Sequence, residues 1–159
     1  PVPGVWNAAF PELLRYEGVG WYALEFDVPG DLPRERLASR LLRFGAVFLE
    51  SRVYLNGVFL GEHSGGYTPF HVATGEALRQ AGNVLVVRAD NRIGWETIPV
   101  DTRMHRGKHG WWPYGGISRP VTLHELPDPW IFKLEPAFGS GEGGVEVWWV
   151  QGGGGQGCE

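Results

Sequence analysis

The sequence predicts an all-β fold: an antiparallel jelly-roll β-sandwich of about eight short strands with one short connector helix. Three observations predict it. Of 159 residues, 25 are glycine and 12 are proline, a density of turn formers that favours many short elements. Residues 21–28 alternate, with Tyr22, Leu24, Phe26 and Val28 facing one way and Ala23, Glu25 and Asp27 the other, the period of a half-buried strand. Asn56-Gly57 falls between two apolar runs and supplies the positive-φ pair of a tight hairpin.

The elements follow in order. Pro29-Gly30-Asp31 closes the first strand. Residues 41–44 and 46–55 read as two more, broken near Gly45, and Val58-Phe59-Leu60 as the short return strand of the hairpin. Residues 67–73 form another, with Pro69 favouring an edge or a bulge. Residues 74–81 are the connector helix, capped by Thr74, with Glu76 in its first turn and Gly82 to close it. Residues 83–90 are apolar on both faces at Val84, Leu85, Val86 and Val87, which marks a central strand.

Residues 92–116 show no periodicity, and long irregular loops in compact domains are usually functional. Residues 117–126 are a strand with Val121 and Leu123 on one side and Thr122 and His124 on the other. Pro127-Asp128-Pro129 reads as a boundary. The expected division is a sandwich at 1–127, the opening strands of a second unit at 128–150, and a glycine-rich tail at 151–159.

Composition narrows the function. A net charge of −4 with no basic stripe argues against a nucleic-acid partner. No apolar run approaches bilayer-spanning length, so no membrane partner is expected. Eight tryptophans, eight phenylalanines and five tyrosines suit a packed sandwich core or a sugar-stacking surface. The single cysteine, Cys158, has no internal disulfide partner. With no signal-peptide pattern, that favours the cytoplasm without excluding secretion.

No cofactor or metal is expected. His105 and His109 have helical spacing, but Gly107 and Gly110 oppose a helix and no third ligand is evident. His63-Ser64-Gly65-Gly66 has the look of a nucleophile loop, yet no base is placed beside it, and a nucleophile without a base is inert. Gly65 and Gly66 instead permit a tight corner, with His63 and Tyr67 expected to hydrogen-bond backbone groups.

Five ordered blocks carry a resemblance: Gly20-Trp21-Tyr22; Val53-Tyr54-Leu55-Asn56-Gly57; Gly61-Glu62-His63-Ser64-Gly65-Gly66-Tyr67-Thr68-Pro69-Phe70; Asn83 to Val87 with Asp90-Asn91; and Tyr114-Gly115-Gly116-Ile117-Ser118-Arg119. Over most of residues 18–126 the chain resembles the N-terminal, galactose-binding-domain-like sugar-binding domain of glycoside hydrolase family 2, the family of β-galactosidases, β-glucuronidases and β-mannosidases. The resemblance implies a domain order of jelly roll, immunoglobulin-like sandwich and (β/α)8 barrel. The barrel would carry the two glutamates of a retaining glycosidase, about 5 Å apart. The chain is then expected to be a non-catalytic fragment of such an enzyme. Its implied partners are a carbohydrate of the β-galactoside or β-glucuronide class, its own downstream immunoglobulin-like and barrel domains, and a homo-oligomer.

Three departures accompany the resemblance. An "L-x-G-x-W" strand that family members carry before the region of Pro3-Gly4-Val5-Trp6 is absent, so the sandwich is expected to lack its first strand. Glycines take the place of the rest of the second domain. Gly110, after His109, stands where glucuronidase-type members have an aspartate that reaches substrate.

Residues 101–114 are the candidate site. Trp111, Trp112 and Tyr114 offer rings to the apolar face of a pyranose. Asp101, Arg103, His105 and His109 offer hydrogen bonds to hydroxyls or a carboxylate. The other reading is that the tryptophans plug the base of the sandwich or pack on a neighbouring domain. Structural roles are expected for Asn56, Gly57, His63, Gly65, Gly66, Tyr67, Asp90 and Arg119, with Arg119 pairing with a strand-end carboxylate, Asp90 being the candidate. Two other functions fit the same residues: a stand-alone lectin-like carbohydrate-binding module, and an interaction module with no sugar contact.

Overall fold

The computed structural model describes residues 1–97 and 112–126, together with the backbone of two later strands. Eleven strands are described: β1 (Val19–Phe26), β2 (Arg40–Phe44), β3 (Val47–Phe48), β4 (Glu50–Leu55), β5 (Val58–Ser64), β6 (Phe70–Ala73), β7 (Asn83–Asp90), β8 (Gly116–Ile117), β9 (Val121–Glu125), β10 (Trp130–Ala137) and β11 (Gly144–Val150). Two short helices, α1 (Trp6–Ala9) and α2 (Arg34–Ala38), flank β1. One sheet has the order β1-β7-β4-β5 and the other β6-β2-β9; β3 pairs with β8, and β10 with β11. All the pairings are antiparallel.

Alternation sets which residues meet. Tyr22, Val87 and Val53 lie in one register row, and Leu24, Leu85 and Leu55 in another. Val53, Leu55, Leu85 and Val87 are buried, while Arg52, next to Val53 in β4, is exposed. From the facing sheet Leu42, Phe44, Phe70 and Val72 complete the core, and the rings of Phe44 and Phe70 stack with centroids 4.8 Å apart. Each such side chain contributes about 1.5–3 kcal/mol on burial.

The Asn56-Gly57 turn forms as the residue types demand, with φ of 52° and 83°. Asn56 also ties the turn to its surroundings: its Nδ2 donates to Ala77 O at 2.7 Å and its Oδ1 accepts from Val84 N at 2.8 Å. β7 is central, paired to β1 on one side and to β4 on the other.

Several expectations are corrected. The strand expected at 46–55 is two strands, because the chain changes sheets at Leu49. Its amide there donates to Asp90 O and its carbonyl accepts from Gly65 N. The strand expected at 117–126 divides likewise into β8 and β9. β5 runs on to Ser64, so residues 61–64 are strand and the corner begins at Gly65. That shortens the next strand to Phe70–Ala73.

The helix expected at 74–81 is a single 3-10 turn, Gly75–Ala77. Thr74 does not cap it; its amide and hydroxyl both donate to Arg40 O, at 3.0 and 2.9 Å. Asn83 takes the backbone groups a helix would have used, accepting from Arg79 N and donating to Arg79 O. The helix that does form between β1 and β2 is α2, which buries Leu37.

Leu24 shares the inward face of β1 with Tyr22 and Phe26 but is 59% exposed. The cause is a groove of about 610 Å³ between β1 and β9, the outer strands of their sheets, lined by Leu24, Phe26, Leu85, Val121 and Leu123 with Val2 at its mouth. On the outer face of the four-stranded sheet, Trp21, Tyr54 and Phe59 stand in a row with centroids 6.5 and 5.5 Å apart.

Candidate functional site

Of the candidate contacts, Asp101, Arg103, His105, His109 and Trp111 lie outside the described residues. Trp112 and Tyr114 are described, and the structure shows how their backbone is held. Gly4 N donates to Ile117 O at 2.7 Å and Trp6 N to Gly115 O at 3.0 Å, so the first residues of the chain zip onto residues 115–117. Trp6 is the keystone of this seam. Its ring stacks on Tyr22 and meets Tyr16 edge-on, with centroids 6.4 and 6.2 Å away. It also lies against Gly20 and Gly115, where a Cβ would come within 2.6 and 2.0 Å of it.

Two buried asparagines complete the seam. Asn7 Oδ1 accepts from Gly115 N at 2.8 Å, and its Nδ2 donates to Leu13 O and Tyr16 O. Asn91 Oδ1 accepts from Gly18 N at 2.7 Å, and its Nδ2 donates to Tyr16 O and to Pro113 O at 2.5 Å. On this frame Tyr114 is 46% exposed and Trp112 is half-buried. The indole N–H of Trp112 is buried and has no acceptor among the described residues. A backbone pinned this firmly can offer a ring to a sugar with little ordering cost.

Asp90 sits beside Asn91 at the end of β7. Burial alone would raise its carboxyl pKa; hydrogen bonds from Arg92 and Arg88 outweigh burial and hold it below the ordinary 3.8. Arg92 Nε and Nη2 approach at 2.9 and 2.5 Å and Arg88 Nη2 at 2.8 Å. Arg119 is therefore not its partner, because both neighbouring arginines already occupy it. Arg119 instead donates to Tyr67 O at 3.3 Å.

The lowered Asp90 pKa sets a sign. Its stabilisation is fully present above the ordinary carboxylate value and is lost as pH falls through the lower native value. We expect Asp90→Asn to unfold more readily than the parent chain at neutral pH, and the gap to narrow as pH falls below the ordinary carboxylate value and on through the lower native one. Urea midpoints of both proteins across that range check it.

The corner side chains make contacts other than those expected. His63 stacks on Phe70 at 4.3 Å and meets the Thr68 hydroxyl at 3.4 Å. Burial lowers its pKa, partly countered by Glu50. Tyr67 is 66% exposed and sets its ring edge on Phe48. Neither side chain holds a backbone group among the described contacts; each is taken up by a ring contact instead. Gly65 has φ +130°. Ser64 donates to Glu50 rather than to a histidine.

Sequence reading missed Trp6, Asn7 and Tyr16. Their partners lie up to 108 residues away, and only the adjacent Trp6-Asn7 pair before a Pro-Glu turn hinted at a fixed segment.

The family model described as "Glycosyl hydrolases family 2, sugar binding domain" matches residues 4–127. The chain belongs to this family. A family 2 relative, a beta-glucuronidase of Streptococcus agalactiae, is 30% identical over 132 residues, covering 75% of this chain and 22% of the relative. A beta-galactosidase of Thermoanaerobacter pseudethanolicus is 33% identical over 122 residues, covering 73% of this chain and 15% of the relative. Among solved structures, Bifidobacterium dentium beta-glucuronidase complexed with coumarin-3-O-glucuronide aligns with a TM-score of 0.70 at 31% identity, over 85% of this chain and 26% of that one. The chain thus spans about a quarter or less of these family 2 proteins, and the sandwich fold is theirs.

Proposed function

We propose that the chain is the non-catalytic sugar-binding and accessory domain of a family 2 glycoside hydrolase, with residues 101–114 on the rim of the saccharide site. The observation that carries this reading is the clasped segment 112–116. It presents Tyr114, and it holds a tryptophan whose N–H has no acceptor among the described residues. A buried donor left unmatched costs about 1–3 kcal/mol, and a sugar oxygen or a group from a further domain would relieve it.

In this reading Trp111, Trp112 and Tyr114 stack on the sugar ring, and Asp101, Arg103, His105 and His109 bond its polar groups. A β-glucuronide or β-galactoside is supported by what the similar proteins are named for. Residues 1–127 are the jelly roll. The β10–β11 hairpin opens an immunoglobulin-like domain within 128–150, and 151–159 form the tail. A barrel beyond supplies the two catalytic carboxylates, in line with the share of its relatives that the chain spans. Homo-oligomeric assembly is part of the same proposal.

Titrating the chain with methyl β-D-glucuronide and methyl β-D-galactoside, read by tryptophan emission, tests it. We expect a saturable change with one of them that Trp112→Ala weakens at least about tenfold. A flat titration of the folded chain rejects the sugar contact.

A further inference from the structure

We infer that Asn7 and Asn91 are positioning residues that set the pose in which segment 112–116 meets a saccharide; the inference rests on the sugar-contact reading above. Each carboxamide has one acceptor oxygen and two N–H donors, and every one of these is used. Asn7 accepts from Gly115 and donates to Leu13 O and Tyr16 O. Asn91 accepts from Gly18 and donates to Tyr16 O and Pro113 O. Both residues are 1% exposed or less. The Tyr16 carbonyl accepts from both, which joins them into one unit.

Two of these bonds land on the candidate site, at Pro113 O and Gly115 N, one on each side of Tyr114. The remaining bonds anchor the unit to residues 13–18, at the entrance to β1. The residue type is dictated by the geometry. An aspartate keeps the acceptor but loses both donors, and a leucine of similar size loses all three groups. Core packing would be met by any apolar residue of that volume, so the polarity serves the backbone it holds. The neighbouring Asp90 is committed to Arg88 and Arg92 and makes no bond to the segment.

Asn91→Asp is the informative change. It keeps the acceptor for Gly18 and removes the donors to Pro113 O and Tyr16 O. In the 159-residue chain we expect it to weaken binding of the responding methyl glycoside at least about tenfold and to red-shift Trp112 emission. A folded Asn91→Asp chain with unchanged affinity overturns the inference. Should that variant fail to fold, amide exchange in the unaltered chain decides. Gly115 and Gly18 should be protected like the core strands, with Gly115 protected further at saturating glycoside. Exposed-loop exchange at Gly115, or no added protection there, overturns it. If the unaltered chain ignores both glycosides, the functional reading falls and takes the inference with it, and core-like protection at Gly115 marks that outcome as a failure of the sugar contact and not of the clasp.

Discussion

Trp6→Ala is expected to destabilise the chain by about 3–5 kcal/mol, the range for deleting a large buried aromatic from a site that cannot collapse. The ring is 6% exposed and is enclosed by Tyr16, Tyr22, Gly20 and Gly115. Those neighbours belong to the strand β1, the entrance to it, and the closing segment, so the void cannot be filled by one side chain turning. The indole N–H makes no hydrogen bond among the described residues. Trp6→Phe should therefore cost much less, under about 2 kcal/mol, because it removes area and no polar contact. Equilibrium unfolding in urea separates the two. Equal costs would show that the N–H, not the ring, carries the residue's role.

Gly66→Ala is the second large effect. A Cβ there would lie 2.0 Å from Cδ2 and 2.6 Å from Cε2 of Phe48. Phe48 is 2% exposed and braced by Tyr67, so its ring has nowhere to move. The expected cost is at least about 1–3 kcal/mol, the range for overpacking a filled core. Gly66 has no positive φ, so the penalty is steric and not conformational. Gly94→Ala is the control: its Cβ would meet nothing within 4 Å, and its effect should stay within about 0.5 kcal/mol. Thermal melts of the two variants decide, and a Gly66→Ala chain as stable as Gly94→Ala would refute the packing account.

How much of this was legible in the sequence depends on the reach of each interaction. The Asn56-Gly57 turn was readable because two adjacent residues settle it. The central place of β7 was readable because its apolar run has no polar face. The inward face of β1 was readable at Tyr22 and Phe26, but Leu24 stays exposed because the facing strand β9 stands away from it, which no local pattern encodes. The helix expected at 74–81 failed because Thr74 and Asn83 spend their hydrogen bonds on Arg40 and Arg79 instead. Helix α2 has a legible signal, a proline before a run of good helix formers that includes the buried Leu37. At the candidate site the exposed Tyr114 was identified, whereas Asn7 was not, since its role exists only once residue 115 is beside it. Arg119 was misassigned for a related reason: Asp90 is claimed by arginines two residues away on either side.

The seam between the first seven residues and positions 113–117 has a consequence for synthesis. A growing chain brings residues 4–7 to the ribosome exit long before the stretch that receives them has been translated. Loop closure across such a span is slow and entropically costly. The nascent sandwich must therefore wait with Trp6 unhoused until residues 113–117 have been made, and in that interval a chaperone would shield the exposed indole.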